Sequence, residues 1–334
     1  MQKIYRNLFV VSILWQLIIA TGWSQKLEIA PAPLAGGFSA ERLKVLDTRL
    51  NEWVEKGWMQ GGTALVARNG KIVYHKAVGY NDLEAKVPMK KDDIFRIASQ
   101  TKAITSVAIM VLFEEGKLLL DDPVSKYLPA FRKQQVIATF NETDTTYTTI
   151  PAKSEITIRQ LLTHTSGLGY AQIGSKEANA IYAKANLTAG IGVVGDDLLS
   201  AMNRLGKLPL MHQPGERWTY GLNSDLLGCL VEQISGKTLD QFFKEKIFEP
   251  LGMNDTHFHL PAAKTTRLVK LYRELPGGKL EKSSGNMLNG RTITPDYPLE
   301  GSTYYSGGAG LSSTIEDYAI FLQMLLNGGI YNGK

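Results

Sequence analysis

Cysteine is almost absent: Cys229 is the only one in 334 residues, so no internal disulfide can staple the chain and stability has to come from packing. A chain of this length can bury a core large enough for that. There is little excess charge of either sign, with 37 Lys+Arg against 32 Asp+Glu and a net charge of +5, and no basic stripe interleaved with aromatics. Those values describe an ordinary globular protein and argue against a nucleic-acid binder. No Gly-x-Ser-x-Gly elbow occurs, which excludes the usual nucleophile turn of a Ser-His-Asp hydrolase. Histidine is sparse, at five residues. His257 and His259 could present two imidazoles on one side of a strand, but no third ligand stands at a recognisable spacing, so neither a metal site nor a cofactor is expected.

The longest apolar run is short. Residues 8–20 follow Lys3 and Arg6 and precede the small residues Gly22 and Ser24. This is too brief for a membrane span and fits a secretory signal over residues 1–24, cleaved after Ser24. A periplasmic or secreted protein is therefore expected, and with no cysteine near the cleavage point no stable membrane anchor is expected after processing.

What is present is a clear succession of elements. Ser39 opens a helix whose apolar positions Leu43, Leu46, Leu50, Trp53 and Val54 keep the 3.6-residue period up to Gly57. Asn69-Gly70 between residues 63–67 and 71–74 predicts a hairpin. Residues 103–113 are apolar nearly all round and stop before Gly116, the pattern of a buried helix. Residues 139–155 are polar and Thr-rich, which reads as a loop, and Thr157 with Gln160 forms a capping box for a short helix ending near His164. Weak helical patterning covers residues 170–215, helices are predicted over 224–234 and 238–247, and residues 313–316 cap a last one through Leu326. The order implies an α+β unit with a helical and loop-rich insertion over about residues 120–300.

Ser99-Gln100-Thr101-Lys102 stands at the start of the buried helix. Residues three apart share a helix face, so the hydroxyl and the ammonium point into the same volume. A serine there is by default an N-cap, but a lysine at the third helical position is poorly placed, because a capping box favours Glu or Gln and the helix dipole opposes a cation. Chemistry supplies the other explanation. A serine hydroxyl is a weak nucleophile until a neighbour takes its proton, and a lysine held by burial beside a helix N-terminus is a candidate to do so. A third partner is wanted, and the turn from His212 to Ser224 offers Tyr220, whose phenol beside a cation could share its proton. Taken alone, Tyr220 reads first as a packing aromatic with a solvated hydroxyl.

Four ordered segments carry a resemblance: Phe95-Arg96-Ile97-Ala98-Ser99-Gln100-Thr101-Lys102, Leu161-Leu162-Thr163-His164-Thr165-Ser166-Gly167-Leu168, Pro214-Gly215-Glu216-Arg217-Trp218-Thr219-Tyr220, and Gly307-Gly308-Ala309-Gly310-Leu311-Ser312-Ser313-Thr314. Over about residues 40–334 the chain resembles the serine beta-lactamase-related family of class C beta-lactamases, D-alanyl-D-alanine carboxypeptidases and family VIII esterases. The resemblance implies an antiparallel sheet flanked by helices, with residues 25–334 forming one domain. It further implies Ser99 as the acylated nucleophile, Lys102 as its base partner and Tyr220 as the proton shuttle, with His164 in a structural turn and Asn223 and Gly308 near the substrate. The backbone N–H of Ser99, at a helix N-terminus, would form half of the oxyanion hole.

Two departures refine the expectation. Where lactamases and peptidases typically have Tyr-x-Asn, whose Asn binds the substrate's amide, this chain reads Tyr220-Gly221-Leu222 with Asn223 one place late, a spacing similar to the esterase branch. The family's third motif, Lys-Thr-Gly or an equivalent, does not occur before Lys334, so the domain is expected to be incomplete, lacking its C-terminal strands. The resulting expectation is a serine hydrolase acting on a small ester, amide or peptidoglycan-derived substrate. A noncatalytic wall-binding or scaffold protein of the same fold, or a D-Ala-D-Ala peptidase or beta-lactamase, are the alternatives.

Overall fold

The computed structural model describes residues 26–170, 173–187, 190–191, 193, 195–283, 297–299, 301 and 303–334; the expected signal segment, residues 1–24, lies outside them. Its sheet is built on a hairpin. Strands β2 (Gly61–Arg68) and β3 (Lys71–Asp82) run antiparallel with Val66 opposite Tyr74. They are joined by Asn69 and Gly70 at φ of 50° and 68°, the two positive values that a type I′ turn needs. β1 (Glu28–Ile29) adds to β3 in parallel and β4 (Val87–Pro88) pairs with its far end, so this small sheet is mixed rather than wholly antiparallel. Helix α1 (Ala40–Glu55) starts at Ser39, whose hydroxyl accepts the Arg42 N–H, and lays Leu43 and Leu50 against Val73, Tyr74 and Val66.

A second layer is helical. Helix α2 (Thr101–Glu114) packs on α6 (Asn223–Ser235), and the two contribute Ile104, Ala108, Ile109, Leu112, Leu226, Leu227 and Leu230 to the main core. No side chain caps α2. Loss of a cap costs about 1 kcal/mol, whereas Ile104, Ile109 and Leu112, each fully buried, are worth about 1.5–3 kcal/mol apiece, so burial decides that this helix forms. Its burial is one-sided all the same, since Met110 and Phe113 are 38% exposed.

Between β4 and α2 runs the short strand β5 (Phe95–Arg96). Between α2 and α6 lie β6 (Gln135–Phe140), β7 (Tyr147–Pro151), α3 (Ile158–Leu162), α4 (Lys176–Lys184) and α5 (Leu198–Leu205). Within the Thr-rich segment expected to be a loop, residues 139–140 and 147–151 belong to the β6–β7 ribbon, and the residues between and after them form its turn and exit. Threonine is β-branched and favours strands, and cross-strand pairs such as the 2.6 Å contact between Thr139 and Thr148 hydroxyls give that preference an effect. The capping box of α3 forms as expected, Thr157 accepting from Gln160 N.

After α6, which stops at Gly236 in the left-handed region, α7 (Leu239–Phe243) runs through a π turn at Lys244–Phe248 into α8 (Glu249–Leu251), and a ribbon of β8 (Tyr272–Glu274) and β9 (Leu280–Lys282) follows. The last elements close the layout around the start of α2. Strand β10 (Ser312–Ser313) pairs antiparallel with β5, placing Ser312 opposite Arg96 and Ser313 opposite Phe95. Helix α9 (Ile315–Leu326) begins at Thr314, whose hydroxyl accepts from Asp317 N, and packs against β2. Serine 313 belongs to the strand, so the cap sits one residue later than the start of the predicted segment. No helix of the described residues is long and apolar enough to cross a membrane.

Candidate active site

The chain enters the site along β5. Ala98 has φ of 45°, a left-handed conformation that an L residue adopts only where its surroundings hold it, and it turns the backbone into a 3-10 turn at Ala98–Gln100. Ser99 stands in that turn with its side chain exposed, two residues before α2 and one before its cap position, Gln100. Its hydroxyl faces two groups instead. Lys102 Nζ donates to Ser99 Oγ at 3.2 Å, and Tyr220 Oη lies 2.6 Å from the same oxygen. Lys102, half-buried in the first turn of α2, also donates to the Gly308 carbonyl at 2.6 Å and sits 4.8 Å from the Tyr220 ring centroid.

Tyr220 arrives from the other side of the cleft on the turn leading to α6. The Thr219 N–H donates to the His164 carbonyl at 2.8 Å and the Leu222 N–H to the Gly169 carbonyl at 3.1 Å, so this turn is laced to the 164–169 segment. Only glycine fits between them: a Cβ on Gly221 would meet the Leu168 carbonyl oxygen at 2.0 Å. The Tyr220 ring is stacked on His164 at 5.6 Å and on Tyr170 at 5.3 Å, which fixes its plane. His164, at φ of 55°, accepts the Asn223 amide on Nδ1 at 3.0 Å. Burial, with Lys102's charge adding to it, pushes its pKa down, so the ring is a neutral packing partner.

The expected site residues are thus distributed unequally. Ser99, Lys102, Tyr220 and the Gly308 carbonyl converge. Asn223 does not present its amide to the open side of Ser99: it is fully buried, with Oδ1 accepting from Ser166 at 2.5 Å and the amide nitrogen spent on His164. Leu222, two residues after Tyr220, is also fully buried. Gly308 turns its carbonyl toward Lys102. The two remaining candidates for ligation point elsewhere, with His257 Nε2 on the Asn254 carbonyl and His259 packed edge-on to Tyr297 and Tyr305. Among the described residues no group of three or more His, Cys, Asp and Glu side chains could hold a metal ion.

Sequence reasoning passed over the residues that hold these groups. Thr101 and Thr105, both fully buried on α2, bond the loop ahead of β10: Thr105 Oγ1 donates to the Gly307 carbonyl at 2.7 Å and Leu311 N–H to Thr101 Oγ1 at 3.1 Å. Asp225 is fully buried on α6, and an acidic residue amid Leu226, Leu227 and Leu230 was the visible signal.

Residues 46–334 match the Beta-lactamase family, and the chain belongs to it. It is 35% identical over 285 residues to Protein Rv1367c of Mycobacterium tuberculosis, covering 85% of this chain and 66% of that one. To Esterase EstB of Burkholderia gladioli it is 33% identical over 279 residues, covering 81% of this chain and 67% of the relative. The solved structure of EstCE1, a hydrolase with promiscuous acyltransferase activity, superposes with a TM-score of 0.73 at 29% identity, covering 85% of this chain and 72% of the other. The chain spans about two thirds of the length of the curated relatives it matches.

Proposed function

We propose that this member of the Beta-lactamase family is a periplasmic or secreted serine hydrolase that cleaves small esters through an acyl-enzyme on Ser99. The observation that carries the reading is one hydroxyl with two proton-handling groups on it, Tyr220 Oη at 2.6 Å and Lys102 Nζ at 3.2 Å. Ser99 Oγ attacks the ester carbonyl while its proton passes to Tyr220 Oη, which acts as the base with the Lys102 ammonium beside it, and a C–O bond forms at the expense of the carbonyl π bond. The oxyanion is met by the Ser99 N–H beside the N-terminus of α2. Collapse expels the alcohol, which takes the proton held by Tyr220, and the acyl group stays on Ser99. Water then attacks, gives up its proton by the same route, and releases the acid.

Esters are favoured over amides because the position two after Tyr220 is a core leucine and the amide of Asn223 is already spent within the protein. The esterase name of the Burkholderia relative agrees with that choice. The signal pattern of residues 1–24 supports export.

A fluorophosphonate probe and a series of short-chain p-nitrophenyl esters test the reading. Covalent labelling and ester turnover are expected, both abolished in Ser99→Ala. Faster turnover of nitrocefin or of a D-Ala-D-Ala peptide than of any ester would move the substrate class to the lactamase or peptidase branch. A folded protein that neither reacts nor turns over would mark a scaffold.

A further inference from the structure

Asp225 is spent on nothing in the reaction above, yet it is a fully buried carboxyl directly behind it. The side chains that reach it are hydroxyls placed to donate to it. Ser306 Oγ donates to Oδ1 at 2.6 Å and Tyr304 Oη stands 3.5 Å from the same oxygen. The second oxygen, Oδ2, has no full hydrogen bond among the described residues and lies against the backbone of Gly308, where a Cβ would come within 2.5 Å of it. Burial pushes the carboxyl's pKa up, while the Ser306 hydroxyl, the Lys102 charge, the Gly308 N–H and the Tyr304 phenol all favour the anion. Tyr170, also facing it, has its phenol held neutral by burial and by Asp225's charge. Burial on balance raises this carboxyl, and the Ser306 hydroxyl, the Lys102 charge and the Gly308 N–H are the groups that support its charged form against it.

The turn that Asp225 grips is the one that steers Lys102. Ser306 Oγ accepts the Ala309 N–H at 3.1 Å, the Gly310 N–H closes on the Ser306 carbonyl at 2.9 Å, and the Gly308 carbonyl between them receives Lys102 Nζ at 2.6 Å. Thr105 holds the neighbouring Gly307 carbonyl from α2, so the turn is clamped between two helices, by neutral hydroxyls on one and by a carboxylate on the other. A threonine clamp positions the turn. A buried charge does more, because burial weakens the screening between it and the Lys102 ammonium that it attracts.

We propose that Asp225 is a positioning residue for Lys102: through Ser306 it fixes the Gly308 carbonyl that aims the ammonium at Ser99, and its negative charge stabilises that ammonium from behind. This rests on the Ser99–Lys102–Tyr220 reading and extends it to a fourth side chain that does not touch substrate.

Two variants separate the anchor from the charge. Asp225→Asn keeps the shape and an acceptor for Ser306 but removes the charge; Ser306→Ala keeps the charge and removes the bond. With p-nitrophenyl acetate, Asp225→Asn is expected to lower kcat by about 10- to 100-fold with little change in KM, and to move the acidic limb of the pH–rate profile down by about half a unit to one unit. Ser306→Ala is expected to lower kcat with the limb unmoved. A wild-type profile in Asp225→Asn overturns the charge effect, and wild-type kcat in Ser306→Ala overturns the anchor. If Asp225→Asn fails to fold, Ser306→Ala alone decides the anchor. If the wild-type protein is inert, the hydrolase reading falls by itself. The inference is then decided by crystal structures of the variants, which overturn it if Lys102 Nζ still sits on the Gly308 carbonyl in both.

Discussion

A single oxygen 2.6 Å from Ser99 Oγ distinguishes Tyr220 from the other aromatics around it. Tyr220→Phe removes that oxygen and leaves the ring, whose stacking on His164 and Tyr170 keeps the turn in place. The variant is expected to melt with the wild-type protein while kcat/KM on a p-nitrophenyl ester falls by about 10²- to 10⁴-fold, the usual range for removing a group that moves a proton in the transition state. Unchanged turnover would leave Tyr220 as a packing residue. Asn223 illustrates the opposite case, a polar side chain near the centre whose two ends are both consumed by the protein, and which therefore reads as support for His164 and so for the plane of Tyr220.

The turn into α6 and the segment at 164–169 behave as one unit, because their backbones approach too closely for a side chain to stand between them. Gly221→Ala would push a methyl against the Leu168 carbonyl, at 2.0 Å in the present geometry. Relief requires separating the two segments, at a cost of about 1–3 kcal/mol in stability, and it withdraws Tyr220 from Ser99. Urea denaturation and fluorophosphonate labelling are expected to show both effects together. A stable Gly221→Ala protein with wild-type labelling would mean that the turn is slack. At the same scale, the pairing of β5 with β10 explains how a loop two hundred residues downstream reaches the start of α2 at all.

For the molecule as a whole, the pH dependence of stability is set by carboxyls displaced in opposite directions. Burial, aided by the charge of Asp197, pushes Glu232 on α6 up to about 7 against the opposing Leu239 N–H. A carboxyl whose folded pKa exceeds its unfolded one costs nothing below the unfolded value, costs more as pH rises between the two, and costs its full amount above the folded value. Asp255 has the opposite sign. Burial would raise it, but hydrogen bonds from Arg267 and Lys264 outweigh burial and bring it to about 2, so its contribution is present above the ordinary carboxyl range and is lost as pH falls toward 2. Glu232→Gln keeps an acceptor for the Leu239 N–H and removes the ionisation. It is expected to stabilise the protein by about 1–3 kcal/mol at pH 8 and to do little at pH 4. Thermal melts at the two pH values check this, and a variant less stable at pH 8 would reverse the assignment.

Local chemistry determined much of this protein without help. Asn69-Gly70 can only make the tight turn it makes, Thr157 and Gln160 cap α3 by reaching their own backbone, and the three-residue spacing of Ser99 and Lys102 brings the two together within one turn. Those features depend on atoms a few residues apart. The Thr-rich segment is a loop only at residues 141–146 and 152–155, because strand pairing is a two-sided property: β6 becomes a strand only when β7 lies beside it. Tertiary structure alone decided that Asn223 faces inward, that the Gly308 carbonyl meets Lys102, and that Asp225 grips the turn carrying it. Each of those contacts joins segments of the chain 59 to 206 residues apart, and no periodicity or spacing along a single stretch records which distant segment packing will place opposite.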